Sequence, residues 1–196
     1  MQSPKIDRTV ILNLTLLSEA GLLAVATCWC YVAQISLHQA MQFSPRAALI
    51  GVASGVGTAG FGFLLLLLAK KFQSLTFLVK LQEIVDREVA PLFAQLALSD
   101  ILLISMASGL CEEVFFRGVL QEQLTLLPTS ILFGLIHCPS FSMIPYAFWT
   151  FIAGLFLGWL YDCTHCLWTP ILAHFVSNLI VLLVFRYGRS SKQPAT

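Results

Sequence analysis

The sequence predicts an all-α protein: a polytopic bundle of about six transmembrane helices with one interfacial amphipathic helix. Of its 196 residues, 58% are hydrophobic and only 11% are charged, and the mean hydropathy is +0.84. A soluble domain carries about 25% charged residues, so the solvent expected for this chain is lipid. The apolar residues also gather in runs of about 20, the length that spans a bilayer core of about 30 Å.

The first two runs cover residues 10–37 and 47–69. Lys5 and Arg8 precede the first run and Glu19 interrupts it, so we expect a retained membrane helix rather than a removed signal peptide. Gly51 and Gly55 lie four residues apart in the second run, a small-residue pattern that allows two membrane helices to pack closely.

Residues 70–98 differ from these runs. Apolar residues recur there at nearly the helical period, with charged residues between them, which predicts an amphipathic interfacial helix. Pro91 is expected to kink or end it. Ser99 and Asp100 are good N-cap residues, so a third span is predicted over about 101–124.

The C-terminal half continues with a short apolar helix that ends near His137, because Pro139 follows. At 1.5 Å per residue this helix measures about 15 Å, too short to cross a bilayer alone, and its sequence leaves open whether it completes a crossing or re-enters. Spans follow over 143–161 and 167–185. We divide the chain into N-terminal membrane helices with the interfacial helix (1–98), a helical core (99–186) and a polar tail (187–196).

Basic residues predict the orientation of this integral, multi-pass membrane protein. If both termini are cytoplasmic, nine of the eleven Lys and Arg residues also face the cytoplasm, as the positive-inside rule favours. The net charge of +1 gives no polyelectrolyte character, so no nucleic-acid partner is expected.

Three ionisable residues lie close together deep in the third span. Ionisable side chains are costly in a bilayer and usually face a bundle interior or a wet cavity. Glu113 and Arg117 are four residues apart and can form an ion pair of purely structural value. Glu112 points about 100° away from them and lacks that partner, so it can serve as a general base, or as a protonated packing residue.

Two further polar pairs occur in apolar helices, each with the four-residue spacing of one helix face: Phe133 with His137, and His174 with Asn178. Glu112 and His137 can hold a water between them, while His174 and Asn178 can donate hydrogen bonds to a developing oxyanion. This chemistry is hydrolysis of a carbonyl compound inside the membrane.

The order and spacing of these residues resemble a known family, through the motifs Glu112-Glu113-x-x-x-Arg117, Phe133-x-x-x-His137 and His174-x-x-x-Asn178. The segments 116–121, 154–161 and 167–174 also resemble the sequence that surrounds those motifs. The family is that of the CAAX-protease and bacteriocin-processing proteins, also called type II CAAX prenyl endopeptidases or abortive-infection proteins. The resemblance covers about residues 99–183.

The resemblance implies a membrane endopeptidase of the glutamic type, without a covalent acyl-enzyme or a cofactor. Carried over by motif position, Glu112 is the general base, His137 assists it, and His174 and Asn178 stabilise the oxyanion. Glu113 and Arg117 shape the site. The implied partners are membrane lipid and a peptide or protein substrate, which can be lipidated. Eukaryotic members trim residues after a prenylated cysteine, whereas bacterial relatives, which this short chain resembles more, are associated with peptide maturation, immunity or anchoring.

Two alternatives remain open at the level of the sequence. The first is a zinc-dependent peptidase that uses Glu112, His137 and His174, although the chain lacks the usual His-Glu-x-x-His signature. The second is a non-catalytic membrane scaffold or immunity-type protein whose polar cluster is structural. Cys163 and Cys166 have the spacing of a zinc pair but no second pair, so a local disulfide or free thiols are expected there.

Overall fold

The computed structural model describes residues 7–188, and every regular element in that range is helical, which confirms the all-α class. The α-helices in chain order are α1 (Arg8–Ala33), α2 (Pro45–Lys71), α3 (Thr76–Ile84), α4 (Ala90–Phe93), α5 (Leu98–Phe115), α6 (Gln121–Leu124), α7 (Leu126–Ile136), α8 (Ile144–Thr164) and α9 (Trp168–Tyr187). Two π-helical turns, Val85–Val89 and Phe116–Leu120, join α3 to α4 and α5 to α6, and a 3-10 turn, Phe141–Met143, precedes α8. The predicted polar tail lies beyond α9, and residues 189–196 fall outside the described range.

Within residues 7–188, four helices are long and apolar enough to cross a membrane: α1, α2, α8 and α9. The segments Thr76–Phe93 and Leu98–Leu124 form a fifth candidate span if they are taken together, although they bend by 114° at the break between them. The helix α7 is apolar but has only 11 residues. The estimate of about six membrane helices thus corresponds to four or five candidate spans and this short helix, and the chain is an integral membrane protein.

The segment predicted to be amphipathic has one buried and one exposed face. Leu81, Ile84 and Val85 are buried, whereas Glu83 and Arg87 are exposed. The helical path continues past Pro91 and ends at Phe93, with the π-helical turn just before the proline. The irregularity expected at Pro91 therefore takes the form of a wider turn that leads into it.

The helix α5 begins at Leu98, so the prediction that Ser99 and Asp100 cap it from outside is wrong. Asp100 lies inside the first turn, where its carboxylate accepts a hydrogen bond from the backbone N–H of Ala97 at 2.8 Å. The same carboxylate forms an ion pair with Arg8, with Nη2 and Oδ1 2.9 Å apart. Asp100 therefore both closes the start of α5 and ties it to the start of α1.

The helix α9 packs against α2 without space for side chains between them, as the small-residue pattern predicts. A Cβ atom added to Gly51 would lie 2.6 Å from the carbonyl oxygen of Thr169. One added to Gly55 would lie 2.6 Å from the carbonyl oxygen of Ala173. Both distances are shorter than any normal contact, so only glycine permits this approach.

On its other side α9 packs against α5 in the same manner. A Cβ atom added to Gly109 would lie 2.9 Å from the backbone nitrogen of Phe175 and 3.0 Å from the carbonyl oxygen of Ile171. This close approach brings the polar residues of α5 within reach of those of α9.

Candidate active site

A cavity of about 300 Å³ is lined by residues of α1–α5 and α7–α9. Glu112, His137, His174 and Asn178, the four residues predicted to be catalytic, all line it. Much of the remaining lining is apolar and includes Leu66, Leu81, Val85, Phe93, Trp149, Leu182 and Phe185. The fold thus brings residues of three helices and three sequence motifs to a single space that combines polar and apolar walls.

Glu112 extends from α5 into this cavity. Its side chain is buried, with 8% of the residue exposed. Its Oε2 atom has no hydrogen-bond donor within residues 7–188. The helix therefore presents a carboxylate whose oxygen is free to bind a water or a substrate atom.

The neighbouring Glu113 does not line the cavity and is fully buried. Its Oε1 accepts a hydrogen bond from Nη1 of Arg117 at 2.9 Å, which is the ion pair that the four-residue spacing predicts. The same oxygen lies 2.7 Å from Nδ1 of His174. Sequence reasoning placed Glu113 and Arg117 beside the site, whereas the structure shows that Glu113 directly contacts one of its histidines.

Arg117 is fully buried and has a second partner: its Nη2 donates to the carbonyl oxygen of Gly154 at 2.8 Å. The guanidinium carbon also lies 4.7 Å from the ring centre of Phe133, a cation–π contact. Arg117 occupies the π-helical turn Phe116–Leu120, a kind of irregularity that is frequent at functional sites. These contacts fix the arginine and, through it, Glu113.

His137 lies at the C-terminal end of α7, where the helix was predicted to stop. Its Nδ1 is 2.8 Å from the carbonyl oxygen of Phe133. A carbonyl oxygen can only accept, so Nδ1 carries the proton, and Nε2 is then the unprotonated nitrogen of the neutral ring. The ring can thus accept a hydrogen bond from a water in the cavity.

Asn178 is oriented by a residue that sequence reasoning missed. Its Nδ2 donates to Oγ of Ser108 at 2.9 Å, which leaves the second amide proton available. Ser108 lies one helical turn before Glu112 and also lines the cavity. That four-residue spacing was a signal available in the sequence, although a serine in a membrane helix is too common to be singled out by it.

Comparison with known proteins identifies the region that carries these residues. Residues 94–180 match a family described as "Type II CAAX prenyl endopeptidase Rce1-like". This region is Rce1-like. The match confirms the resemblance that the three motifs indicated and, at the level of the family, relates the region to the CAAX-protease-like membrane endopeptidases.

The chain is also similar to a curated protein. The uncharacterized protein YpbD of Bacillus subtilis (strain 168) is 26% identical over 96 residues, which cover 49% of this chain and 51% of YpbD. The chain thus spans about half the length of this curated relative. No solved structure matches the chain.

One acidic residue of the cavity lies outside the Rce1-like region. Glu19 of α1 is buried, with 8% of the residue exposed, and its carboxyl group lies within hydrogen-bonding reach of that of Glu112. Sequence reasoning noted Glu19 only as an interruption of an apolar run. A charged side chain inside a membrane span was a usable signal for a site residue, but nothing in the sequence showed which helix it faces.

Within residues 7–188 no three His, Cys, Asp or Glu side chains lie close enough together to hold a metal ion.

Cys163 and Cys166 are free thiols, and the Cys166 thiol contacts the carbonyl oxygen of Gln42 at 3.4 Å. Of the two states expected for these cysteines, the structure has the free thiols.

Proposed function

We propose that the chain is an intramembrane endopeptidase, of the CAAX prenyl endopeptidase-like type, that hydrolyses a peptide bond with a water activated by Glu112. The observation that supports this most is the convergence of Glu112, His137, His174 and Asn178 on one buried cavity of an Rce1-like region. Glu112 lines this cavity and its Oε2 lacks a donor within residues 7–188, so this oxygen can bind a water.

In the proposed reaction a water lies between Glu112 and the unprotonated Nε2 of His137. Glu112 removes one proton as the water oxygen attacks the carbonyl carbon of the scissile peptide, which forms a tetrahedral intermediate. Collapse of the intermediate breaks the C–N bond, and the proton held by Glu112 passes to the leaving amine. The products are a carboxylic acid and an amine, Glu112 returns to its starting state, and no covalent bond to the protein forms.

His174 and Asn178 are placed to stabilise the intermediate. Ser108 orients the amide of Asn178, and its second N–H can point to the oxyanion. Glu113 accepts a hydrogen bond from Nδ1 of His174, so in the imidazolium form Nε2–H becomes a second donor for the oxyanion. Arg117 has the supporting role of neutralising and holding Glu113.

The cavity also suggests the class of substrate. Its apolar walls, from α2, α3, α4, α8 and α9, can accommodate a hydrophobic chain beside the polar residues. We therefore propose a peptide or protein substrate with an apolar or lipidated segment, drawn from the surrounding lipid, and no cofactor.

A zinc-dependent reaction is the second candidate. Within residues 7–188 no three possible ligands lie close enough to hold an ion, but both histidines have the bonds that usually orient metal ligands. Nδ1 of His137 is bonded to a backbone carbonyl and Nδ1 of His174 to a carboxylate, which leaves Nε2 of each ring for a ligand. Cleavage assayed before and after chelation separates the candidates. We expect activity to survive chelation, and a complete loss that zinc restores would favour the metal-dependent reaction.

The first test replaces the proposed base. Membrane vesicles that contain the wild-type protein should release peptides that vesicles containing Glu112→Gln do not release. Mass spectrometry of the released peptides measures the difference. Loss of a general base should lower the rate by at least about a hundredfold. The matched control is Glu122→Gln, an exposed carboxyl group three turns along the same helical segment that does not line the cavity.

The scaffold interpretation makes the opposite prediction. If Glu112→Gln, His137→Ala and His174→Ala each release the same peptides as the wild type, the proposed hydrolysis is wrong. The control variant must release the wild-type peptides for either result to count.

A further inference from the structure

Glu19 is a buried acidic residue that the proposed reaction does not use. It lies in the middle of α1, outside the Rce1-like region. Leu22 and Leu23, three and four residues further along, lie on the same helix face and pack against core residues that include Phe116 and Val114. This face of α1 is thus turned to the bundle interior, and Glu19 is turned with it.

The carboxyl groups of Glu19 and Glu112 meet in the cavity. Both side chains line it, and they lie within hydrogen-bonding reach of each other. In each residue Oε2 is buried and lacks an N–H or hydroxyl donor from any other residue of the 7–188 range. Each carboxyl group thus lies within reach of the other and has a buried oxygen that no other residue of this range satisfies.

The basic side chains near this pair form hydrogen bonds with other groups. Arg117 donates to Glu113 and to the carbonyl oxygen of Gly154, and Nδ1 of His174 is bonded to Glu113. Nδ1 of His137 is bonded to a backbone carbonyl oxygen. Within the described part of the chain, no lysine or arginine forms a salt bridge with Glu19 or Glu112.

Two ionised carboxylates can only accept hydrogen bonds, so a bond between Glu19 and Glu112 needs one proton. Without it, two like charges would repel each other in a site of low dielectric. With one proton shared by the pair and an imidazolium at His174, the site has two negative charges, on the pair and on Glu113, and two positive charges, on Arg117 and His174. A buried site with no net charge avoids the large cost of an unpaired charge.

We propose that Glu19 is a positioning residue that holds this proton and donates it as a hydrogen bond to the carboxylate of Glu112. Arg117 and His174 both contact Glu113, the neighbour of Glu112 in α5, whereas Glu19 in α1 has no such basic contact within the described part of the chain. The inference rests on the proposed function, because it concerns the orientation of the proposed base.

The bond has a defined consequence for the reaction. Glu19 occupies one oxygen of Glu112 and leaves the other directed to the water, so the base has a single orientation. Glu19 keeps its proton throughout, and the proton taken from water still passes from Glu112 to the leaving amine. The helix α1 then completes a site whose other members all belong to the Rce1-like region.

Two substitutions at one position test the hydrogen bond. Glu19→Gln keeps a donor, since its amide N–H can reach Glu112, whereas Glu19→Leu has a similar volume and no donor. We expect Glu19→Gln to release peptides at a rate within about threefold of wild type, and Glu19→Leu to be slower by about ten- to a hundredfold, the value of a hydrogen bond to a charged group. Wild-type release by Glu19→Leu would overturn the inference.

The unfolding temperature of Glu19→Leu separates a positioning role from a purely structural one. An apolar residue of similar size is often tolerated or even stabilising in place of a buried polar one, so Glu19→Leu should unfold at no lower temperature than wild type in detergent. If both variants lose stability and activity in parallel, Glu19 acts through folding and the proposal is wrong.

Infrared spectroscopy supplies a measurement that does not depend on activity. A protonated carboxylic acid has a carbonyl stretching band that a carboxylate lacks. This band should appear in the difference spectra of wild type minus Glu19→Gln and wild type minus Glu19→Leu. Glu112→Gln retains Glu19, so the spectrum of that variant should still contain the band. Its absence from both difference spectra would refute a proton on Glu19.

The two proposals fail separately. If Glu112→Gln releases peptides at the wild-type rate, the proposed hydrolysis is wrong whatever Glu19 does. If Glu112→Gln is inactive while Glu19→Leu is fully active, the hydrolysis stands and only the role of Glu19 is rejected.

Discussion

At the scale of single residues, the site depends on charges that are buried and paired. Glu113 is fully buried and has two basic partners on the same oxygen, Arg117 at 2.9 Å and His174 at 2.7 Å. An ion pair in a low-dielectric interior gains little over apolar residues, but removal of one partner leaves an uncompensated charge. Arg117 and Glu113 are thus a structural support on which the orientation of His174 depends.

Removal of the arginine should therefore destabilise the protein more than removal of the proposed base. Arg117→Ala leaves Glu113 with His174 alone and frees the carbonyl oxygen of Gly154, at a cost of about 3–5 kcal/mol. Glu112→Ala removes a side chain whose Oε2 has no donor within residues 7–188, so its cost should be smaller. Thermal unfolding in detergent measures both, and an equal or reversed ranking would contradict the supporting role of the pair.

At the scale of the helices, a glycine sets how closely the proposed catalytic motifs of α5 and α9 approach each other. Ser108 and Glu112 lie on α5, and His174 and Asn178 lie on α9. Between these helices Gly109 faces backbone atoms of α9 at distances that exclude a Cβ atom. The hydrogen bond of 2.9 Å between Asn178 and Ser108 requires this close packing.

A methyl group at this contact should separate the two helices. Gly109→Ala should cost about 1–3 kcal/mol, because backbone atoms cannot rotate away as a side chain can, and it should also slow peptide release. The matched control is Gly57→Ala in α2, where an added Cβ atom has no neighbour within 4 Å, and there alanine should be neutral or stabilising. Similar unfolding temperatures for the two variants would show that the contact is looser than the structure indicates.

At the scale of the whole molecule, an ion pair joins the first helix to the Rce1-like region. The Asp100 carboxylate binds Arg8 and also closes the first turn of α5. Close to it, Leu96, Ile101 and Phe185 belong to one buried apolar cluster. The N-terminal helix thus packs as part of the bundle. The division of the chain between residues 98 and 99 remains a prediction from the sequence.

The orientation in the membrane is a prediction at this scale. Basic residues such as Lys70 and Lys71 cluster at the end of α2, whereas the loop between α1 and α2 is followed by the single Arg46. In a background without native cysteines, an impermeant thiol reagent added outside cells should label Gln39→Cys and not Gln73→Cys, because the positive-inside rule places the second site in the cytoplasm. Both positions are exposed, so labelling of the two in the opposite order would reverse the predicted orientation.

Much of the site could be predicted because its short-range part follows the helical period. The pairs Glu113 with Arg117 and Phe133 with His137 are each four residues apart in helices that the apolar runs already indicate. The family resemblance rests on the same local spacings, and the match over residues 94–180 confirms it. Sequence alone therefore determined the helical class, the membrane setting and the residues of the three motifs.

Tertiary structure alone decided how those motifs and the first helix meet. His174 contacts Glu113 across 61 residues, Asn178 contacts Ser108 across 70, and Glu19 joins Glu112 from outside the Rce1-like region. In a soluble helix the apolar stripe shows which side faces the core, but in a membrane helix the lipid side is apolar as well. The facing side of each helix is then set by close packing at residues such as Gly51, Gly55 and Gly109, and that packing is a property of pairs of helices, which no single stretch of sequence specifies.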